Sequence, residues 1–191
     1  MRRAVFALFL LASATSPAKA GPALDLVSAA RAQVGTTLFY DPSYQRIAYP
    51  MGDVPLDRGV CSDVVVRAFR GVGIDLQAEL HDDMKRHFVA YPRIWGLRKT
   101  DANIDHRRVP NLATWFTRQG YDLRVTDQAA DYQAGDVVAW VLDNGRPHIG
   151  IVSDRRSADG ARPLVIHNIG GGAREEDVLF GWRISGHFRA F

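Results

Sequence analysis

Three residues in this 191-residue chain have side chains that could together perform nucleophilic thiol chemistry. Cys61 is the single cysteine, and a thiol forms a covalent intermediate when a neighbouring base takes its proton. Two histidines, His148 and His167, follow in the last third of the chain and carry imidazoles suited to proton transfer. Thiol catalysis needs a nucleophile, a base and a group that orients the base. These residues are therefore enough for a complete site.

The residues after Cys61 predict that it begins a helix. Apolar residues recur after it with the spacing of one buried helix face, at Val64, Val65, Ala68, Phe69 and Val72. Gly71 and Gly73 are typical of a helix end. The first turn of a helix offers free backbone N–H groups and a positive dipole end, and both favour the reactive thiolate. The alternative interpretation is a small buried hydrophobe, which is what most free cysteines are.

The two histidines lie in segments that predict neighbouring β-strands. Residues 148–153 and 164–169 are mainly apolar, and Asp159-Gly160 between them is a turn signal. Adjacent strands would bring His148 and His167 side by side, and the helix that begins at Cys61 would pack on their sheet.

The rest of the chain predicts helices first and strands second. Further helices are predicted over 24–34, 75–88 and 110–119, and further strands over 121–126, 137–142 and 182–191. Residues 92–109 are predicted to be irregular, and Gly170-Gly171-Gly172 to be a mobile loop. This order predicts an α+β fold over residues 21–191, a single domain with N-terminal helices packed on an antiparallel β-meander.

The first twenty residues have the pattern of a secretory signal peptide. Two arginines precede an apolar run over 4–12, and Ala18-Lys19-Ala20 has the form of a cleavage site. The run is too short to span a bilayer. We therefore expect a periplasmic or secreted protein without a membrane anchor.

The charge balance excludes a nucleic-acid footprint. The chain has 24 Lys+Arg and 21 Asp+Glu, and residues 1–20 hold three of the basic residues and no acid. The remaining part is formally neutral, so we expect no nucleic-acid partner. We also expect a monomer. An unpaired cysteine in an exported protein indicates a reactive thiol or an intermolecular bridge.

The order of these motifs resembles that of the NlpC-type cell-wall peptidases, which are compact papain-like cysteine hydrolases. The resemblance is carried by Cys61 at a helix start, Gly-Asp-Val-Val-Ala-Trp at 135–140, His-Ile-Gly-Ile-Val at 148–152 and Val-Ile-His at 165–167. The chain has Val60-Cys61-Ser62-Asp63 where that family usually has Asp-Cys-Ser-Gly. The resemblance implies a papain-like, NlpC-type fold.

Longer phrases look closer still to an exported bacterial family, number 1287 among the domains of unknown function, the YijF-like proteins. They include Asn-Ile-Asp-His-Arg-Arg-Val-Pro-Asn-Leu at 103–112 and His-Asn-Ile-Gly at 167–170. This second resemblance spans nearly the whole chain after residue 20. It implies the NlpC-like fold and supplies no activity.

The resemblance to the NlpC-type peptidases implies a role for each candidate residue. Cys61 would be the nucleophile, His148 the base and His167 the orienting residue, with Asn168 as the substitute for His167. The oxyanion hole would use the Cys61 backbone N–H and the Tyr49 hydroxyl. The implied activity is that of a cysteine peptidase or amidase working through an acyl-enzyme, on peptidoglycan or a small peptide.

Two arginines are candidates for substrate binding. Arg107 and Arg108 could bind substrate carboxylates, although a structural role in their loop is the competing interpretation. We expect no cofactor and no metal.

Three alternatives to hydrolysis remain open. The first is a cell-wall binding or scaffolding protein that kept the fold and lost turnover. The second is a zinc site made by Cys61, His148 and His167, which are good zinc ligands. Neither a Cys-x-x-Cys pair nor a His-Glu-x-x-His helix accompanies them. The third is acyl transfer, which shares the acyl-enzyme intermediate with hydrolysis.

Overall fold

The computed structural model describes residues 21–191, so the predicted signal peptide over 1–20 lies outside the described residues. The helices are α1 (Pro22–Arg31), α2 (Cys61–Gly71), α3 (Leu76–Arg86) and α4 (Val109–Arg118). The strands are β1 (Phe39–Tyr40), β2 (Arg58–Gly59), β3 (Val137–Val141), β4 (Pro147–Arg156), β5 (Pro163–Asn168), β6 (Ala173–Glu176) and β7 (Arg183–Phe188).

The main sheet is antiparallel and has the strand order β6-β5-β4-β3-β7. Strands β3 to β6 form a meander, and β7 returns to pair with β3. The two-residue strands β1 and β2 form a separate parallel pair. The predicted α+β fold, with helices before an antiparallel meander, is confirmed.

Helix α2 lies at the centre of the core, between α1 and the sheet strands β4 and β5. The apolar positions that predicted this helix are the ones it buries, and Val64, Val65, Ala68 and Phe69 are all fully buried. Phe69 packs on Phe116 of α4, with ring centroids 5.5 Å apart. Burying an aliphatic or aromatic side chain of this size stabilises a fold by about 1.5–3 kcal/mol. The hydrophobic effect therefore fixes the helix that begins with Cys61 against the strands that carry the histidines.

The Gly135-Asp136 pair has a structural role at the start of β3. The Asp136 carboxylate accepts a hydrogen bond from His187 Nε2 at 2.7 Å and two from the Arg189 guanidinium, both at 2.7 Å. Asp136 is almost fully buried. Its contacts tie the first strand of the meander to the returning strand β7.

One sequence prediction about this part of the fold is wrong. Residues 121–126 form no strand, because only Asp122 makes an isolated bridge, to Phe188. The glycine triplet at 170–172 forms a loop as predicted, and its mobility stays a prediction. The loop turns the chain into β6, which was not predicted and which pairs with β5 along four residues. The predicted irregular stretch 92–109 contains a short 3₁₀ turn over Asp105–Arg107.

The described helices are all too short to act as membrane spans. None of them within residues 21–191 combines the length and the apolar character that crossing a bilayer requires.

Candidate active site

Cys61 is the first residue of α2, and a buried ion pair holds this end of the helix. The carboxylate of Asp63 accepts a hydrogen bond from the Val60 backbone N–H at 2.7 Å, which caps the helix. The same carboxylate receives two hydrogen bonds of 2.9 Å from the Arg107 guanidinium. Ser62 donates its hydroxyl proton to the Arg107 carbonyl at 2.7 Å. The residues that follow Cys61 therefore fix its position.

The two candidate histidines meet across β4 and β5. His148 Nε2 lies 2.8 Å from His167 Nδ1, and both side chains are buried. A Cβ added at Gly150 would lie 3.1 Å from the His167 Cβ and 2.8 Å from a methyl of Val165. Any side chain at position 150 would therefore force the strands apart. The glycine of the His-Ile-Gly motif is what allows the imidazoles to meet.

A carboxylate that the sequence analysis missed lies behind the second histidine. Glu176 ends β6, and its Oε2 is 3.1 Å from His167 Nε2. The sequence offered no signal for it, because the strand that carries it was not predicted.

Two tryptophans exclude water from the histidine pair. The His148 ring lies 5.7 Å from Trp140 and 5.6 Å from Trp182, measured between ring centroids. The His167 ring lies 6.2 Å from Trp182. Burial lowers the pKa of His148 to about 3. It also lowers the pKa of His167, while the Glu176 carboxylate acts in the opposite direction.

The thiol of Cys61 is also kept neutral by burial. Burial raises its pKa to about 12, against the opposing effect of the Ile149 backbone N–H. Burial therefore acts against the thiolate that the helix start alone favours. With His148 also neutral, the resting pair is a thiol and an imidazole, so the proton would move during the attack on a substrate.

Cys61 and His148 line the same open cleft, which has a volume of about 750 Å³. Within residues 21–191 the Cys61 thiol makes no hydrogen bond to His148. Catalytic hydrogen bonds often tighten only once substrate is bound. The lack of a hydrogen bond between Cys61 and His148 here is therefore compatible with proton transfer between them. The described lining includes Arg107, Arg108 and Arg146 and no acidic residue. Because Arg107 pairs with Asp63 and Arg108 lies 3.8 Å from Asp105, Arg146 is the lining arginine without a carboxylate partner within residues 21–191.

Tyr49, the predicted hydroxyl of the oxyanion hole, lies elsewhere. Its hydroxyl donates to Asp82 at 3.1 Å, and its ring packs on His81 with ring centroids 5.1 Å apart. Tyr49 therefore contacts α3 and does not line the cleft. Tyr40 lines the cleft instead, because its backbone pairs with Gly59 just before Cys61. Burial, and next the neighbouring Cys61, raise the pKa of the Tyr40 hydroxyl, which therefore stays a proton donor.

Asn168 and Arg107 are structural residues in this geometry. The Asn168 amide donates to the Gly59 carbonyl at 3.0 Å, which supports the chain before Cys61 and leaves the orienting position to His167. The Arg107 guanidinium is occupied by Asp63 and by the Ser43 and Asp41 carbonyls. These contacts support the structural interpretation of Arg107 and correct the role of Asn168 as the substitute for His167.

Arg108, the second predicted substrate-binding arginine, lies at the cleft next to a buried carboxylate, because its Nη1 is 3.8 Å from Asp105 Oδ1. Its guanidinium carbon lies 4.6 Å from the centroid of the Trp95 ring, and the residue is only partly buried at the cleft. Stacking on the ring fixes the direction of the guanidinium, while the Asp105 carboxylate offsets part of its charge.

The site geometry does not favour the zinc alternative. His148 Nε2 and His167 Nδ1 point at each other rather than at a shared third point. No group of three or more His, Cys, Asp or Glu side chains within residues 21–191 is arranged to hold a metal.

The chain is similar to two proteins of differing relatedness. It is 58% identical over 168 residues to the uncharacterized protein YijF of Escherichia coli (strain K12), covering 88% of this chain and 82% of that protein. It overlaps the solved structure of NlpC1 from Trichomonas vaginalis with a TM-score of 0.44 and 14% identity, covering 86% of this chain. The chain spans only 44% of that longer protein. A family model, described as a domain of unknown function (DUF1287), matches residues 27–190, and the chain belongs to this family.

Proposed function

We propose that this chain is an exported cysteine hydrolase that cleaves an amide bond in peptidoglycan through Cys61, His148 and His167. The observation that supports it most is the 2.8 Å contact between the two imidazoles, one of which lines the same cleft as the thiol. A nucleophile, a base and a group that orients the base are what amide cleavage by a thiol requires.

The proposed reaction transfers one proton twice. His148 takes the thiol proton as the sulfur attacks the carbonyl carbon, and it returns that proton to the leaving amine when the C–N bond breaks. Water then hydrolyses the thioester by the same route. The Cys61 backbone N–H, at the start of the helix, and the Tyr40 hydroxyl are the proposed oxyanion donors.

The charge of the cleft supports a substrate that carries carboxylates. Arg146 lies in the lining and has no carboxylate partner within residues 21–191, whereas Arg108 Nη1 lies 3.8 Å from the buried Asp105 Oδ1. Guanidinium groups bind carboxylates through paired, charge-assisted hydrogen bonds. The peptides of peptidoglycan carry free carboxylates close to several of their amide bonds, and they are the proposed substrate.

Incubation of the protein from residue 21 onward with purified cell-wall sacculi tests this function. Mass analysis of the soluble fraction should reveal fragments cut at one type of amide bond. Cys61→Ala should release at least about 10³-fold less product while it still binds sacculi, since the nucleophile is gone and little volume is lost. His148→Ala should lose nearly as much, because the two residues act as a unit.

The competing function is a wall-binding protein without turnover. It requires that the wild-type protein bind sacculi and release nothing. Turnover that survives in Cys61→Ala would contradict both the mechanism and the assigned site. An amine acceptor added to the assay distinguishes hydrolysis from acyl transfer, because only transfer would yield an amide of that acceptor.

A further inference from the structure

We propose that Glu176 is a positioning residue, whose carboxylate fixes the tautomer of His167 and, through that ring, the tautomer of His148. This inference deepens the proposed function and rests on it for the identity of the nucleophile. It stands on two measured contacts, 3.1 Å between Glu176 Oε2 and His167 Nε2 and 2.8 Å between His167 Nδ1 and His148 Nε2.

The first contact fixes the proton on His167. An ionised carboxylate can only accept hydrogen bonds. His167 Nε2 must therefore carry a proton and donate a hydrogen bond to Glu176. A neutral imidazole has one N–H and one bare nitrogen, and burial keeps His167 neutral. His167 Nδ1 is therefore bare and can only accept.

The second contact determines which ring nitrogen of His148 carries the proton. Because His167 Nδ1 can only accept, His148 Nε2 must donate across their 2.8 Å contact. The remaining nitrogen, His148 Nδ1, is then bare and can act as a base toward Cys61. In the reverse arrangement, His167 Nδ1 donates to His148 Nε2, and His148 carries its proton on Nδ1, which then cannot act as a base. Without a carboxylate at position 176, this arrangement has a comparable energy.

The same carboxylate stabilises the charge that develops in the reaction. When His148 Nδ1 takes the thiol proton, the ring becomes a cation whose Nε2–H still donates to His167. The negative charge of Glu176 lies one ring further along the same line of hydrogen bonds. Trp140 and Trp182 cover the histidines. The attraction between the Glu176 carboxylate and the His148 cation is therefore screened less than it would be in water.

A purely structural role for Glu176 is the competing explanation. Its other oxygen, Oε1, lies 3.6 Å from Arg174 Nη1, and Arg174 is largely exposed. Exposed ion pairs of this kind contribute about 0–1 kcal/mol to stability. Arg174 opposes Glu176 at the imidazoles, because its positive charge lowers the pKa of His167 whereas the carboxylate raises it.

The test compares Glu176→Ala and Glu176→Asp with the control Asp177→Ala. Asp177 has the same exposed side-chain fraction as Glu176, 35%, and loses an ion pair to Arg162 when it is replaced. Two readouts need no substrate. One is the NMR resonances of the imidazole ring nitrogens, which identify each tautomer. The other is the rate at which iodoacetamide alkylates Cys61 as a function of pH.

We expect wild type and Asp177→Ala to have both histidines protonated on Nε2. Glu176→Ala should have mixed tautomers and about tenfold slower alkylation, with the acid limb of its pH profile moved to lower pH. That direction follows because removing a negative charge disfavours the imidazolium. Glu176→Asp should recover part of the rate.

Unchanged tautomers and an unchanged pH profile in folded Glu176→Ala would overturn the proposal and leave Glu176 as a surface ion-pair partner. Thermal unfolding of each variant establishes that it is folded. The result is separable from the proposed function, because tautomers and alkylation report on the histidines even in a protein that cleaves nothing.

Discussion

Gly150 and His167 face each other across β4 and β5 at a distance that leaves no room for a side chain, since an added Cβ would lie 3.1 Å from the His167 Cβ. Gly150→Ala should therefore separate the strands and lengthen the 2.8 Å contact between His148 and His167. Overpacking of this kind costs about 1–3 kcal/mol. Chemical denaturation should reveal this loss, and ring-nitrogen NMR should reveal the weakened imidazole contact. Unchanged stability together with an intact contact would contradict the packing role of Gly150.

The Cys61 thiol should react slowly in the free protein. Burial raises its pKa to about 12, whereas an unperturbed cysteine has a value of about 8.5. At pH 7 iodoacetamide should therefore alkylate Cys61 more slowly than it alkylates free cysteine, and the rate should keep rising above pH 9. Unfolding in urea should restore the ordinary rate, which serves as the control. Alkylation faster than that of free cysteine would mean that a thiolate is already present, as the helix start alone predicted.

The sequence predicted the candidate residues better than their protonation. Cys61, His148 and His167 could be found because they are the residue types that thiol chemistry needs, and because a local apolar period placed one of them at a helix start. The pKa of Cys61 could not be predicted in the same way. It depends on burial beneath strands that lie far away along the chain.

Neighbouring residues of one type also could not be ranked from the sequence. Tyr40, Tyr44 and Tyr49 occur in one loop, yet only Tyr40 and Tyr44 line the cleft. The pairing of Tyr40 with Gly59 is what brings Tyr40 next to Cys61. Glu176 was missed for a related reason. The sequence Ala-Arg-Glu-Glu has weak strand character and forms β6 only because the edge of β5 pairs with it.

The cleft arginines should discriminate between substrates by charge. Arg146→Ala should raise KM about five- to tenfold for a peptide with a carboxylate beside the scissile amide, with a much smaller change for the same peptide amidated there. The control is Arg155→Ala, because Arg155 is exposed on β4, pairs with Glu175 and does not line the cleft. Equal effects of Arg146→Ala on both peptides would contradict carboxylate recognition.

Buried histidines should make the fold sensitive to acid. Burial lowers the pKa values of both His106 and His148 to about 3, whereas histidines in the unfolded chain titrate near about 6.5. Between these values the unfolded state binds more protons, so stability falls as the pH falls through this window. Each such histidine contributes a slope of about 1.4 kcal/mol per pH unit. Asp105, whose pKa burial raises to about 6, acts in the opposite direction between about pH 4 and 6 and offsets part of the loss.

His106→Asn isolates one of these contributions, because His106 is buried and lies outside the cleft lining. The variant should have a different stability at pH 7, but its loss of stability between pH 7 and pH 5 should be smaller than that of wild type by about 2 kcal/mol. Urea denaturation at several pH values measures both quantities, and comparing slopes rather than absolute stabilities removes any packing defect. Parallel pH profiles for variant and wild type would mean that His106 binds its proton equally well in the folded and unfolded chains, which contradicts its burial in a neutral form.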